Sequence, residues 1–263
     1  MKKIGIISLS LMLSMSLVGN CFADSVMIDP GHGGIDSGAV SYDNKLEEKD
    51  LNLDTAKAVI EELKRNGVTV YTTRTDDTYV SLQDRSRMAN KIENLDLFVS
   101  IHHNAAGDPK INRGEVIYSV KEKESQKLAE CIGKKMKQIG DMEIKIYNRY
   151  NAKGLDYYSV LRNTNATSVI VEISFISSKE GIALVDTPEE RRENGILVAH
   201  GIMDYFGIDY DEEKEDAKKP IKRTKTTSTE ETPKTGMDVI NSCLHKKSKQ
   251  SNPIERLLAL LRR

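Results

Sequence analysis

The sequence has few aromatic and sulfur-containing side chains: its 263 residues include no Trp, four Phe and three Cys. Modules that bind carbohydrate usually stack the sugar on aromatic rings, so this composition argues against an appended module of that kind. Cys21, Cys131 and Cys243 are too few and too widely spaced for a disulfide framework. The fold must therefore be stabilised by its hydrophobic core, for which the chain is long enough.

The sequence also lacks a basic region of the kind that binds nucleic acid. The net charge of the whole chain is −1, and residues 24–208 carry 24 basic and 30 acidic side chains, a local charge of −6. Basic residues exceed acidic ones only at the two ends of the chain. Because binding to a phosphate backbone needs a surplus of Lys and Arg, we expect no nucleic-acid partner.

A long hydrophobic run is missing as well. Two lysines precede the apolar residues 4–18, a stretch shorter than a membrane-spanning helix, which needs about 20 residues. With Cys21 and Ala23 as small residues at the cleavage-site positions, residues 1–23 are predicted to be a signal peptide cleaved after Ala23. The protein is then exported. Acylation of Cys21 in a lipoprotein is the alternative, which Asn20 disfavours.

Between residues 24 and 208, short β-rich segments alternate with longer amphipathic segments. We predict strands at Ser25–Asp29, Val68–Thr73, Leu95–Ile101, Glu115–Val120 and Ser168–Phe175. We predict helices at Asp50–Asn66, Val80–Glu93, Ser125–Ile139 and Pro188–Phe206. This alternation is typical of an α/β fold, here a single domain with a largely parallel sheet and helices on both faces.

The composition changes after this region. Residues 209–263 are polar and show no apolar periodicity, which predicts a linker or a disordered tail. Thr232–Gly236 (TPKTG) resembles a sortase sorting signal with Thr where Leu is usual, but residues 237–261 are too polar to form the membrane span that such a signal requires. We therefore treat the tail as a linker, with surface anchoring as the alternative.

Four polar residues are predicted to meet at one edge of the sheet. His32 follows the first strand, His102 ends the third strand, and Glu172 lies near the end of the fifth. Glu48 is placed in the loop that enters the first helix. The carboxyl ends of parallel strands form the usual ligand-binding edge of an α/β sheet. We therefore expect the four side chains to converge there.

The residue types at this edge suit metal-assisted hydrolysis. Two imidazoles and one carboxylate match a three-ligand zinc site whose fourth position is left to water. Zinc lowers the pKa of bound water to about 7 and polarises a carbonyl oxygen. A further carboxylate must then transfer the proton. Glu172 is flanked by Val and Ile residues, and such apolar surroundings raise the pKa of a carboxyl group towards a working value.

Each of these residues has a simpler interpretation when it is taken alone. His32 would be an exposed side chain in a glycine turn, and Glu48 a solvated charge favoured at a helix start. His102 and His103 would point to opposite faces at a strand end, one partly buried and one solvated. Glu172 would be a charge on an edge strand. Taken together, these interpretations require four chemically compatible groups to converge by chance.

Six segments of the chain form an ordered set of motifs. They are Met27–Ala39 (MIDPGHGGIDSGA), Glu48–Leu53 (EKDLNL), Thr73–Asp76 (TRTD), Ser100–Ala105 (SIHHNA), Val160–Arg162 (VLR) and Val171–Ser177 (VEISFIS). Together they resemble the motifs of the zinc-dependent N-acetylmuramoyl-L-alanine amidases of the amidase_3 type. They follow the family's order within residues 26–206, so the set is far more specific than any one of its members.

The resemblance implies a twisted mixed sheet with flanking helices and a zinc site. It implies that His32, Glu48 and His102 are the zinc ligands and that Glu172 is the catalytic carboxylate. Glu48 is preferred to Glu47 because the family's metal-binding Glu immediately precedes Lys.

Other family-like positions have roles that the resemblance leaves open. His103 lies where the family varies, and it is assigned no role. Arg74, Asn104 and Arg162 either contact substrate or hold loops through structural ion pairs. Ser178 stands where the family often has Asn, a departure that concerns loop geometry and not the metal.

The activity implied by the resemblance is hydrolysis of the amide that joins the lactyl group of N-acetylmuramic acid to L-alanine in peptidoglycan. Zinc would bind the scissile carbonyl oxygen and the attacking water, and Glu172 would transfer the proton to the leaving nitrogen. The implied partner is peptidoglycan, which the catalytic domain reaches either by itself or through a regulatory or activator protein. The exported chain is then secreted or associated with the cell wall.

Three other classes of function fit the residues less well. A catalytically silent wall-binding relative would need a broken ligand set, whereas all four groups are present. Zinc-dependent peptidoglycan peptidases and carboxypeptidases use other ligand spacings, and no His-Glu-x-x-His segment occurs in the chain. A Ser or Cys nucleophile is disfavoured because the chain has no Gly-x-Ser-x-Gly segment and Cys131 has no evident base.

Overall fold

The computed structural model describes residues 24–211. The predicted signal peptide with Cys21 lies outside these residues, as does nearly all of the predicted tail with Cys243 and Thr232–Gly236. The division of the chain into those segments therefore stays a prediction. Within residues 24–211, no helix is both long enough and apolar enough to cross a lipid bilayer.

Six strands and six helices occur among the described residues. The strands are β1 (Ser25–Pro30), β2 (Thr69–Thr72), β3 (Leu97–Asn104), β4 (Gly114–Tyr118), β5 (Ile144–Tyr147) and β6 (Thr167–Phe175). The helices are α1 (Glu48–Arg65), α2 (Leu82–Asn90), α3 (Lys123–Met136), α4 (Ser159–Asn163), α5 (Lys179–Ile182) and α6 (Pro188–Phe206).

The strands form one mixed sheet in the order β2-β1-β3-β6-β4-β5. The neighbours β2, β1, β3 and β6 are all parallel, β4 is antiparallel to β6, and β5 is parallel to β4. The predicted α/β fold with a largely parallel mixed sheet is therefore confirmed. The interpretation of Glu172 as a charge on an edge strand is wrong, because β6 lies in the middle of the sheet.

Several short elements were not predicted from the sequence. Strand β5 and helices α4 and α5 have four or five residues each, too few to display a periodicity. Helix α2 begins at Leu82 and not at Val80, because the Ser81 side chain accepts a hydrogen bond from the Asp84 amide and caps the helix.

Cys131, on α3, is a half-buried free thiol.

The two faces of the sheet carry different residues because side chains alternate along a strand. On one face, residues such as Val26, Val99 and Val171 pack in a large core with helices α1, α3 and α6. On the other face, Phe98 and Ile170 form a smaller cluster together with residues from α2 and α4. Continuing that second face towards the carboxyl ends of the strands leads to the polar residues of the candidate site.

Helix α6 packs closely on its neighbours at two glycines. A Cβ atom added to Gly195 would lie 2.6 Å from the Thr55 carbonyl oxygen of α1. A Cβ atom added to Gly201 would lie 2.5 Å from the Cα atom of Ile132 in α3. Since both neighbours are backbone atoms, neither contact can be relieved by a side-chain rotation. The close approach of α6 therefore depends on these residues having no side chain.

A buried ion pair lies beneath the loop that follows β1. Asp29 is 1% exposed, and Arg85 of α2 donates a hydrogen bond to its Oδ1 atom over 2.6 Å. The hydroxyls of Thr73 and Ser100 also donate to the Asp29 carboxylate, over 2.6 and 2.7 Å. A buried carboxylate needs such partners, because its charge has lost the stabilisation that water gives.

Two buried arginines hold the backbone of this loop. Arg85 donates to the carbonyl oxygens of Pro30 and His32, both over 2.6 Å. Arg74 donates to the carbonyl oxygens of Pro30 and Gly31, over 2.9 and 2.8 Å. His32 has a φ angle of 58°, a left-handed conformation that side-chain-bearing residues rarely adopt. The arginines thus maintain a backbone shape that His32 would not adopt by itself.

We predict that Gly201→Ala destabilises the protein by about 1–3 kcal/mol, because the new methyl group overpacks a backbone contact. Intrinsic helix propensity alone predicts the opposite sign, a gain of about 1 kcal/mol. The matched control is Gly133→Ala in α3, where the added atom would mainly meet the flexible side chain of Ile146. Urea unfolding measures both, and a stabilised Gly201→Ala protein would contradict the packing argument.

We also predict that Arg85→Met costs about 3 kcal/mol of unfolding free energy, because Asp29 would be left as an uncompensated buried charge. The control is Arg87→Met on the same helix. The Arg87 side chain is 60% exposed and pairs with Asp84 at the surface, so its loss should cost less than about 1 kcal/mol. Equal losses in the two variants, measured by chemical denaturation, would contradict a special role for Arg85.

Candidate metal centre

His32 lies in the loop after β1 and faces two carboxylates. Its Nε2 atom is 3.2 Å from Glu48 Oε2, and its Nδ1 atom is 2.9 Å from Asp36 Oδ2. Gly38 leaves room for this arrangement, since a Cβ atom there would lie 2.7 Å from the His32 ring and 2.6 Å from Glu48 Oε2. One ring nitrogen is therefore directed at Glu48 while the other is held by Asp36.

Glu48 is the first residue of α1 and not part of the preceding loop, which corrects the sequence-based prediction. Helix α1 starts early because loop carbonyls take the place of a capping side chain: the Glu48 amide donates to Ala39, and the Lys49 amide donates to Ser37. Glu48 is 5% exposed, so its interpretation as a solvated charge is also wrong. Its Oε2 atom accepts a hydrogen bond from the Ala39 amide over 2.9 Å.

His102 completes the cluster from the end of β3. Its Nδ1 atom lies 2.9 Å from Glu48 Oε1, and its ring is 5.0 Å from the His32 ring at an angle of 80°. The His102 ring packs against Gly31, where a Cβ atom would fall 2.1 Å from the ring, so this position requires a residue without a side chain. One ligand atom from each of His32, Glu48 and His102 lies within 4.8 Å of the others, so the three side chains could hold a metal ion.

The charges of the cluster suit a cation. Burial opposes ionisation of Glu48, but its contacts with His102 and His32 lower the pKa of its carboxyl group well below the usual range. Burial likewise opposes protonation of His32, and the contacts with Glu48 and Asp36 still raise its pKa. The buried carboxylate thus stays ionised and is faced by two imidazoles that can act as nitrogen ligands.

His103 points to the opposite face of β3 from His102, as the strand period requires. It is 1% exposed, and its Nδ1 atom is 2.8 Å from Asn52 Oδ1. Burial lowers the pKa of His103 to about 3, so the ring is neutral. The interpretation of the second imidazole as solvated is therefore wrong. The structure separates this His from the cluster.

Glu172 lies beside the cluster but outside its ligand group. It is paired with His102 across the β3–β6 ladder and with Glu115 across the β4–β6 ladder, and paired residues project from the same face. Its Oε2 atom is shielded from solvent and has no hydrogen-bond partner among the described residues. Burial and the negative charges of Glu48 and Glu115 raise the pKa of Glu172 well above its ordinary value.

A cavity of about 280 Å³ brings these groups together. Its lining includes His32, His102 and Glu172, together with residues from the start of α2 and the start of α4. The cavity therefore gives one bound molecule access both to the candidate metal ligands and to a carboxyl group that holds its proton more strongly than usual.

The family-like polar residues take mainly structural roles. Arg74 is buried against backbone carbonyls, and Arg162 donates to the carbonyl oxygens of Asp156 and Tyr157 over 2.7 and 2.9 Å. Ser178 caps α5 by accepting a hydrogen bond from the Gly181 amide over 2.8 Å. The departure from Asn at Ser178 therefore concerns a loop, as expected from the sequence.

Two carboxylates of this region are not identified by the sequence patterns. Asp36 lies in the first motif segment, but only the structure places it against the far nitrogen of His32. Glu115 accepts hydrogen bonds from Asn104 Nδ2 over 3.1 Å and from Tyr147 Oη over 2.9 Å. The alternation of side chains along β4 could have assigned Glu115 to one face of the sheet. The pairing of β4 with β6 is needed to place it beside Glu172.

Comparisons with known sequences all indicate the same protein family. The family model for N-acetylmuramoyl-L-alanine amidase (Amidase_3) matches residues 26–204. The N-acetylmuramoyl-L-alanine amidase AmiA of Salmonella typhimurium is 31% identical, and the match covers 69% of this chain and 75% of AmiA. The probable cell wall amidase LytH of Staphylococcus aureus is 32% identical over 183 residues, and the match spans 69% of this chain and 58% of LytH.

Solved structures agree with the sequence matches. The catalytic domain of CwlV, an N-acetylmuramoyl-L-alanine amidase from Bacillus (Paenibacillus) polymyxa, has a TM-score of 0.64 at 30% identity, covering 71% of this chain and 99% of that domain. Cwp6 from Clostridium difficile has a TM-score of 0.67 at 37% identity, covering 70% of this chain but only 29% of Cwp6. The CwlD amidase from Clostridioides difficile, solved in complex with the GerS lipoprotein, has a TM-score of 0.63 at 27% identity, covering 71% of this chain and all of that one. By its motifs, its fold and these matches, the chain belongs to the N-acetylmuramoyl-L-alanine amidase family.

Proposed function

We propose that this protein is a zinc-dependent amidase that hydrolyses the bond between N-acetylmuramic acid and the L-alanine of the stem peptide in peptidoglycan. The observation that carries the proposal is one cavity whose lining contains two members of the three-residue metal-ligand cluster, His32 and His102, together with Glu172, a separate carboxyl group of raised pKa. Membership of the amidase family supplies the substrate class.

His32, Glu48 and His102 are the residues that would hold the zinc ion. Two nitrogen ligands and one oxygen ligand suit zinc, and three protein ligands leave a position open for chemistry. Asp36 would orient His32 through its second ring nitrogen, as carboxylates do for many metal-bound imidazoles. When bound, zinc lowers the pKa of a coordinated water and polarises a carbonyl oxygen.

Glu172 is the proton carrier in this mechanism. As a base it takes one proton from the attacking water, whose oxygen forms the new bond to the scissile carbonyl carbon. As an acid it then gives that proton to the nitrogen of L-alanine as the amide bond breaks. The products are a free lactyl carboxylate on the sugar and a free amino terminus on the peptide. A raised pKa suits both halves of this cycle near neutral pH.

The substrate suggests where the protein acts, and a structural relative suggests a protein partner. Peptidoglycan lies outside the cytoplasm, so we propose that residues 1–23 direct export and that residues 24–208 act in the cell wall or the medium. The structural relative CwlD was solved in complex with a lipoprotein. By analogy we propose that a regulatory protein also binds the catalytic domain of this chain, with residues 209–263 as a linker.

Removing the proton carrier should separate metal binding from catalysis. We predict that Glu172→Gln retains about one zinc per chain, because Glu172 is outside the ligand cluster, while turnover falls by at least about 100-fold. His102→Ala should lose both zinc and activity. Elemental analysis gives the metal content, and the release of new L-alanine amino termini from purified peptidoglycan gives the activity. A zinc-free parent protein would overturn the ligand assignment.

The negative charge of Glu115 should influence the pH dependence of the reaction. A base must be ionised, so kcat/KM falls as the pH drops through the pKa of Glu172. Burial is the main cause that raises this pKa, and the charges of Glu48 and Glu115 raise it further. We therefore predict that Glu115→Gln moves the acid limb of the kcat/KM profile to lower pH. The control is Glu143→Gln at an exposed position, and an unmoved or raised limb in Glu115→Gln would contradict the coupling.

A further inference from the structure

We propose that the cavity between the start of α2 and the start of α4 is a saccharide-binding subsite, in which Tyr79 and Tyr158 contact a sugar ring of the glycan strand. The inference deepens the proposed function and rests on it. It assigns the two sides of the scissile amide to different surfaces. The sugar binds inside this cavity, and the stem peptide lies outside it.

The position of the cavity is the first argument. Its lining contains His102 and Glu172 as well as Tyr79 and Tyr158. Ile170, two residues before Glu172 on β6, is also part of it. A sugar ring that contacts these tyrosines therefore lies in the same cavity as the groups that would cleave its lactyl amide.

The segment that contains Tyr79 contacts the loop after β1, which contains His32. A Cβ atom added to Gly34 would lie 2.8 Å from the Tyr79 backbone nitrogen, so the two segments are in direct contact. Asp77 accepts a hydrogen bond from the Gly34 amide over 2.7 Å and another from Lys49 Nζ over 2.9 Å. These contacts fix the distance between the Tyr79 segment and His32. The Tyr79 residue is nevertheless 49% exposed, which leaves its ring available to a ligand.

Tyr158, the second tyrosine of the lining, is supported by a neighbouring aromatic ring. The Tyr158 ring lies edge-to-face against Tyr157 at 5.2 Å. The guanidinium of Arg149 covers the Tyr157 ring at 3.8 Å. Tyr158 also packs on the smaller hydrophobic cluster of the sheet. This support holds the Tyr158 ring in place before any ligand binds, so little ordering is needed on binding.

The charges of the lining favour a sugar over the stem peptide. The arginine of the lining, Arg85, already donates to Asp29 and to the carbonyl oxygens of Pro30, His32 and Val80. It therefore offers no free charge for a peptide carboxylate, and the lining also contains the carboxylate of Asp36. The muramic acid of the substrate is neutral, because its lactyl carboxyl group is bound in the amide. Its C–H faces can pack on tyrosine rings while its hydroxyls remain hydrated.

The test is direct binding of the two halves of the substrate. The disaccharide of N-acetylglucosamine and N-acetylmuramic acid, with its lactyl carboxyl group capped as a neutral methyl amide, and the free stem tetrapeptide are titrated separately into the full-length zinc-loaded protein by calorimetry. We expect Tyr79→Ala to weaken disaccharide binding by about fivefold and to leave peptide binding unchanged. Leu82→Ser, which alters a second exposed residue of the same lining, should weaken disaccharide binding in the same direction.

Tyr71→Ala is the matched control, because Tyr71 is 37% exposed on β2 and is not part of the cavity lining. Loss of peptide binding in Tyr79→Ala would overturn the subsite, as would unchanged binding of both ligands or a parent protein that does not bind the disaccharide. The amidase activity is scored separately. A parent that binds the disaccharide in a Tyr79-dependent way but releases no L-alanine amino termini would contradict the proposed function and leave the subsite standing.

Discussion

The hydrogen bonds from Arg85 to Asp29 and to the loop after β1 are the interaction on which the candidate site depends. One buried guanidinium neutralises the carboxylate at the end of β1 and also holds the carbonyl oxygens of Pro30 and His32. His32 is thereby kept in a left-handed conformation that is rare for a residue with a side chain. This support therefore helps to direct the His32 ring at Glu48.

The sheet provides the second constraint through its register. Parallel pairing of β3 with β6 aligns His102 with Glu172, and antiparallel pairing of β4 with β6 brings Glu115 to the other side of Glu172. A shift of one residue in either pairing would turn these side chains to the opposite face. The apolar residues that alternate with them lie in the main core, so packing of that core also fixes the alignment of His102, Glu172 and Glu115.

The candidate site contains two glutamates, Glu48 and Glu172, with opposite electrostatic behaviour. Both are disfavoured as ions by burial, but Glu48 is compensated by two imidazoles and an amide, so its pKa falls well below the usual range. Glu172 has no such partner and is close to other negative charges, so its pKa rises. Differences of this kind divide ligand and proton-carrier roles between chemically identical side chains.

Local signals in the sequence predicted one helix to the residue. Helix α6 spans Pro188–Phe206, as expected from the Pro at its start. In the structure Thr187 and Glu190 form a capping box around this Pro, and Gly207 caps the end of the helix with a φ angle of 72°. These features act within one helical turn, so the sequence displays them. The start of α1 at Glu48 could not be predicted in this way, because its first amides are bonded to carbonyls of a preceding loop.

The sequence by itself determined the α/β class, the ordered motifs and the four polar residues that they contain, since alternation and motif order are properties of the chain alone. Only the tertiary structure decided that His103 is buried away from the cluster, that Asp36 and Glu115 face the reactive groups, and that the tyrosines line the same cavity. These relations depend on strand pairing and on contacts between distant segments. Local residue patterns carry no information about which strand becomes the neighbour of which.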